Sequence, residues 1–165
     1  TKHYVNYGIK YYRYACKKGL EGIIAKNMYS VYQNKRSRDW LKFKCSNEQE
    51  FIIIGYTEPK GSRIAIGALL LGYYENKKLF YAGKVGTGFN YDMLLSLKGK
   101  LLPLEIKKPV VQKKINEKNI HWVAPKLLCQ IKFTEWTVYG KLRHPKFVGL
   151  RTDKDPKDVV REKIL

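Results

Sequence analysis

The chain has 165 residues and 44% of them are hydrophobic, so it can bury a core of its own and is no disordered tail. Lys and Arg number 33 against 14 Asp and Glu, a formal net charge of +19. That excess is far more than solubility asks of a domain this size and favours a polyanionic partner, nucleic acid or an anionic membrane surface. The sequence holds no apolar run of about eighteen residues that would span a bilayer, and its opening, TKHYVNYG, has no apolar signal core. Position 1 is Thr, as in a chain that begins inside a longer protein.

Residues 4–18 fit an amphipathic helix, with Val5, Ile9, Tyr12 and Cys16 at helical spacing and Lys17-Lys18-Gly19 as a stop signal. Short apolar strands are predicted over 21–26 and 39–44. The polar connection between them, 27–38, ends in the basic cluster Lys35, Arg36 and Arg38. Trp40, Lys42 and Lys44 share one face of the second strand, Leu41 and Phe43 the other. Two ammonium groups at i and i+2 repel unless an anion sits between them. The competing reading is a solvated edge strand, where lysine guards against aggregation. Glu21, just ahead of Gly22, fits either a divalent-metal ligand or an ordinary surface carboxylate. On a regular strand Glu21 and Lys26 have opposite parity and cannot both face one site, which makes Lys26 the weaker candidate.

Beyond residue 46 the chain is rich in β segments: 50–56, 65–74 and 79–85, with a hairpin turn over 75–78. Gly83, Gly86 and Gly88 allow the bending that a small barrel needs. Asn90 is placed to cap a helix running to about Lys100, with Met93, Leu94, Leu97 and Leu101 as its apolar stripe. Residues 103–119 read as a basic loop carrying Lys107, Lys108, Lys113 and Lys114. Strands over 120–123, 127–137 and 142–147 follow, then a charged tail from 152 with a short helix. Three strands, a helix and two strands is the order of a five-stranded Greek-key barrel of the oligonucleotide-binding (OB) type, with SH3-like barrels and other small β folds as alternatives.

Trp122 and Trp136 lie in apolar strands and are read as core rather than as base-stacking platforms. Cys16, Cys45 and Cys129, odd in number and without a CxxC, predict reduced buried thiols of a cytosolic protein and no zinc site. The glycines of GKVGTG lack Walker spacing. His144, beside Pro145, reads as a turn residue; His3 and His121 carry no partner signature.

EGIIAK (21–26), a basic connection, and WLKFK (40–44) resemble motifs IV and V of covalent nucleotidyltransferases, and more narrowly of ATP-dependent DNA ligases. GYTEPKGSR (55–63), GALLLGYY (67–74), LFYAGKVGTGF (79–89) and FTEWTVYGKLRHPKFVGLRTDK (133–154) resemble the C-terminal part of bacterial end-joining ligases of the ligase D type. The resemblance implies an α+β architecture: the C-terminal piece of an adenylation domain over 1–46, then an OB-fold DNA-binding domain over 47–165. It implies that Glu21 is the motif IV carboxylate and binds metal, and that Lys42 and Lys44 are the motif V lysines that contact the nucleotide α-phosphate. Arg151, Asp153 and Lys154 match motif VI, which orients the departing pyrophosphate. No KxDG, the motif that carries the nucleophilic lysine, occurs in the chain.

The expectation is therefore part of an ATP-dependent DNA ligase that does not adenylate itself alone. ATP with Mg²⁺ or Mn²⁺ would serve the complete enzyme. Its partners would be nicked or broken double-stranded DNA, an upstream half carrying KxDG, and end-joining proteins, in the bacterial cytoplasm at the nucleoid and with no membrane. DNA-contact candidates are Lys35, Arg36, Arg38, Lys107, Lys108, Lys113, Lys114, Lys141, Arg143 and Lys146. The alternatives are a non-catalytic basic OB module that binds nucleic acid, and a capping-type RNA nucleotidyltransferase, which the segments after Gly55 disfavour.

Overall fold

The structure is a computed structural model and describes residues 3–35, 37–62 and 64–162. It divides into two compact units, one made by the chain up to Ser46 and one spanning Asn47–Glu162. No helix among the described residues is long and apolar enough to cross a membrane.

In the first unit, helix α1 (Gly8–Lys17) precedes an antiparallel pair, β1 (Gly22–Lys26) and β2 (Trp40–Lys44). The helix starts later than its apolar spacing predicts, because Asn6 takes a positive φ of 60° and the chain turns there. Its inward face is also rotated from the predicted stripe. Ala15 is fully buried and Tyr11, Tyr12 and Cys16 half-buried, while Val5 and Ile9 are exposed. Ala15 is the one buried residue among those described in this unit, so apolar burial alone holds it weakly.

A disulfide between Cys16 and Cys45 supplies what the core lacks, joining α1 to the end of β2. This corrects the expectation of reduced, buried thiols: both cysteines are half-buried and face each other with their Cα atoms 5.3 Å apart. Only Cys129 fits that expectation, fully buried with its thiol pushed well up by burial. The bridge closes a loop with a sequence separation of 29, worth about 3.5 kcal/mol by the loop-entropy relation. Reduction is therefore expected to speed hydrogen exchange of the β1 and β2 amides by about two orders of magnitude while leaving the second unit protected. Equal exchange with and without reductant would contradict that role.

The second unit is a curled antiparallel sheet. β3 (Asn47–Thr57), β4 (Leu69–Glu75) and β5 (Lys78–Val85) form a meander, and α2 (Tyr91–Leu101) follows. After it come β6 (Glu105–Ile106), β7 (Ile120–Phe133), β8 (Glu135–Trp136), β9 (Leu142–Arg143) and β10 (Lys146–Arg151). The sheet order is β10-β7-β3-β4-β5, with β6 on β7, while β8 and β9 form a separate hairpin. The Phe147 N–H donates to the Thr87 carbonyl at 2.9 Å, drawing the chain after β5 onto the start of β10 and closing the curl. Gly88 permits this approach: its φ is +94°, and a side chain there would strike the Phe147 backbone.

Local signals explain most elements. Asn76 and Lys77 both take positive φ in the β4–β5 turn, as a tight hairpin requires. The Asn90 side chain accepts from the Met93 N–H at 2.8 Å and caps α2, whose Leu94, Leu97 and Leu101 are buried. Met93 is exposed, at the margin of the predicted stripe. The two strands predicted on either side of Pro125 are one, β7. Its register slips there, so that residues 123–126 stand opposite Ile54 alone. A bulge accommodates the missing proline N–H without ending the strand. Conversely, the strand predicted over 142–147 is broken into β9 and β10 by His144, with a φ of 50°, and Pro145.

The core runs through β3, β4, β7 and α2, with Phe51, Ile52, Ile53, Ile54, Leu70 and Ile131 fully buried. Trp136 packs on Phe51, Tyr73 and Phe133 at ring distances of 5.7, 5.4 and 5.8 Å, and Trp122 packs against the same core. His121 does have partners: it stacks on Tyr56 at 4.8 Å and lies 3.3 Å from Glu58 and 3.5 Å from Glu105. The Tyr56 hydroxyl, held between Lys98 and Glu105, ties α2 to this end of the sheet.

Candidate functional site

Two charged clusters carry the predicted site residues, one in each unit. In the first unit the cluster depends on Gly22. Its φ of +151° and its contact with the Phe43 carbonyl leave no room for a side chain. β1 begins at Gly22, so Glu21 stands ahead of the regular strand and is free of its parity. Its carboxylate accepts from Lys42 Nζ at 2.8 Å and lies 3.5 Å from Lys44 Nζ. The hydrogen bond from Lys42 and the charges of both lysines hold the Glu21 carboxyl below its usual range. The Tyr12 hydroxyl donates to the Lys44 carbonyl at 3.0 Å, and Cys45 fixes the next residue through the disulfide. All three ionic side chains remain roughly half exposed, open to a ligand.

Register corrects the treatment of Lys26. Lys26 pairs with Trp40, Ile24 with Lys42 and Gly22 with Lys44, so these residues share a face. The Lys26 ammonium sits 3.8 Å over the Trp40 ring. Parity makes Lys26 the weaker candidate only where Glu21 belongs to the strand, and β1 begins one residue later. Beside Trp40 a cleft of about 340 Å³ is lined by Val31, Gln33, Lys35 and Ser37. Arg38 is exposed in the same connection; Arg36 lies outside the described residues.

The second cluster sits where β10 ends. Arg151 donates from Nε and Nη2 to the two oxygens of Asp153, at 2.8 and 2.6 Å, and from Nη1 to Gln130 at 3.2 Å. The paired guanidinium holds the Asp153 carboxyl down at about 2. Lys154 donates to Glu50 at 2.8 Å, which raises the affinity of that amine for its proton. Arg151, Asp153 and Lys154 thus lie in one cluster, joined through Glu50. Glu50 and Gln130, on β3 and β7, were not singled out in the sequence. Both come from strands remote in the chain, and no local pattern marks them.

The basic candidates divide by environment. Lys107, Lys108, Lys113, Lys114 and Lys146 are exposed. Lys141 is committed to packing: it lies 3.8 Å over the Tyr81 ring, donates to the Tyr81 carbonyl at 2.6 Å, and is lowered to about 8 by burial and by Lys113. Arg143 is paired with Glu135 at 2.7 Å. Among the described residues no group of three or more His, Cys, Asp or Glu is placed to hold a metal, so Glu21 can offer a metal only a single carboxylate.

A curled antiparallel half-barrel with a capping helix, preceded by a hairpin that sets two lysines on one carboxylate, defines the class: an OB-fold C-terminal region of a covalent nucleotidyltransferase. The chain belongs to the family described as the ATP dependent DNA ligase C terminal region, whose model matches residues 62–154, more than half of its length. It is 45% identical over 155 residues to the multifunctional non-homologous end joining protein LigD of Pseudomonas aeruginosa, covering 90% of this chain and 18% of that protein. Its structure resembles the ligase domain of Mycobacterium tuberculosis LigD, with a TM-score of 0.69 at 38% identity, over 94% of this chain and 52% of that domain. It also resembles a mycobacterial DNA ligase D complexed with ATP and MES, with a TM-score of 0.65 at 36% identity, over 94% of this chain and 51% of the other. The chain therefore spans about a fifth of the full-length relative and about half of the ligase domains it matches.

Proposed function

We propose that this chain is the C-terminal part of an end-joining ligase that seals nicks in double-stranded DNA by AMP transfer, and that it works with an upstream half carrying the KxDG lysine. The observation that carries this reading is the convergence of Lys42 and Lys44 on Glu21, in a chain whose family is that of ATP-dependent DNA ligases. Two ammonium groups held on one face suit the α-phosphate of a bound nucleotide, where charge builds during transfer to or from a lysine. A phosphate oxygen arriving there replaces the Glu21 carboxylate as their partner. Glu21 would then be free to offer one carboxylate to Mg²⁺ or Mn²⁺. The metal, when bound, supplies positive charge to the phosphates.

In the second unit, Arg151 and Lys154 are the cations for the departing pyrophosphate, with Asp153 paired to Arg151 on its exposed edge until the pyrophosphate arrives. The adenylation-domain piece is the first unit and the DNA-holding OB-fold is the second, and the exposed lysines of 107–114 are the strongest phosphate contacts.

The test is adenylation in trans. With labelled ATP and Mg²⁺, this chain alone is expected to form no covalent AMP adduct. Mixed with, or fused to, an upstream half containing KxDG, it is expected to support an adduct on that half. An AMP–lysine bond formed by this chain alone would refute the assignment, and failure of the fused pair to adenylate would favour the non-catalytic OB module.

A further inference from the structure

Arg151 and Lys154 are flexible cations three residues apart at the end of a strand, and left alone they would splay by mutual repulsion. The structure shows what prevents it. Glu50 lies on β3, paired in register with Gln130 of β7, and its side chain is only 17% exposed. One carboxylate oxygen accepts from Lys154 Nζ at 2.8 Å, and the other lies 3.4 Å from Arg151 Nη2. Gln130, the cross-strand neighbour of Glu50, accepts from Nη1 at 3.2 Å. Asp153, by contrast, is 61% exposed and covers the Nε and Nη2 edge from outside. The cluster thus has a rooted carboxylate beneath the cations and a removable one above them.

We infer that Glu50 is a positioning residue, holding Arg151 and Lys154 side by side as a two-cation seat for a polyphosphate, with Asp153 occupying the guanidinium edge that the polyphosphate takes. This rests on the reading of Arg151 and Lys154 as the pyrophosphate-facing cations. The Asp153 bond is bidentate, the same geometry a phosphate would use on Nε and Nη2, so the two compete for one edge. Glu50 and Gln130 hold the guanidinium from other directions and can stay in place while Asp153 yields.

Charge and position make opposite predictions. Replacing Glu50 by glutamine removes a negative charge beside two cations, and electrostatics alone would tighten binding of an anion. If Glu50 positions the pair, binding weakens in spite of the gained charge.

The experiment uses the whole chain with inorganic pyrophosphate as probe, at constant ionic strength near physiological. Affinity is read by calorimetry and the guanidinium by the ¹⁵N resonance of Arg151 Nε–H. E50Q is expected to weaken pyrophosphate about tenfold, the size of one lost charge-assisted hydrogen bond, and to shift or broaden the Arg151 Nε–H resonance in the free chain. D153N is expected to tighten pyrophosphate. Should E50Q disturb the β3 and β7 amide spectrum, E50D, which keeps the charge on a shorter arm, takes its place with the same expected weakening. Unchanged or tighter binding in the folded Glu50 variant would overturn the inference. R151A separates the two claims: if it binds pyrophosphate as the parent chain does, the reading of Arg151 fails. If R151A loses binding while the Glu50 variant does not, that reading stands and only the role of Glu50 falls.

Discussion

In a ligase assembled from this chain and an upstream KxDG half, Lys42→Ala is expected to slow formation of the AMP–lysine adduct about 10²–10³-fold, the cost of removing one preorganised donor from a developing negative charge. Lys42 makes the shorter of the two contacts with Glu21, so it is the better-placed cation. Lys44→Ala is expected to cost nearly as much, because the two share a face and one partner. The effects should be less than additive, as for groups that act as a unit. Glu21→Gln is a useful contrast. It frees both lysines from their carboxylate, so any loss of rate there reports on metal binding and is expected to be partly recovered at high Mg²⁺. Single-turnover adenylation with labelled ATP reads all three. A rate for Lys42→Ala within a few-fold of the parent would remove Lys42 from the α-phosphate site and return it to a solvated strand face.

Binding of this chain to duplex DNA is expected to fall by about 10³-fold or more between 50 and 200 mM salt, which corresponds to roughly six or more phosphate contacts. The formal charge of +19 provides the cations, and their environments rank them. Lys107, Lys108, Lys113 and Lys114 are exposed in the connection before β7, so replacing all four by alanine is expected to flatten the log–log salt slope by about three to four. Lys141 and Arg143 are engaged by Tyr81 and Glu135, so their replacement should change the slope little. Binding should depend on duplex geometry and hardly on base sequence, since Trp122 and Trp136 are packed in or against the core and are not available as stacking platforms. Fluorescence anisotropy with a mixed-sequence nicked duplex provides the measurement. Affinity that holds steady across that salt range would contradict the phosphate-contact account.

What the sequence makes legible is what local chemistry encodes. The β1–β2 hairpin, the Asn76-Lys77 turn, the Asn90 cap and the order of strands around α2 all follow from residues close together in the chain. So does the convergence of Lys42 with Lys44, which needs only strand alternation. The features that escape it depend on partners brought from afar. Cys16 and Cys45 have no spacing signature; only the packing of α1 on the β1–β2 pair brings them within bonding reach. Pro125 signals a break, and the bulge opposite Ile54 that carries β7 through it depends on the register with β3. Parity makes Lys26 the weaker candidate on a regular strand, and only the fold shows that β1 starts at Gly22 and leaves Glu21 outside the alternation. Glu50 is one of two acids on β3, with Glu48, until the fold sets it beside Arg151 and Lys154.

The most direct measurement of the central claim is nick sealing by the reassembled enzyme. A singly nicked duplex with a 5′-phosphate is incubated with ATP, Mg²⁺ and the upstream KxDG half, with and without this chain, and the products are resolved on a denaturing gel. The account predicts sealed product when this chain is present, and essentially none with the upstream half alone or with a chain that stops at Ser46. Sealing by the upstream half at the same rate without this chain would contradict it.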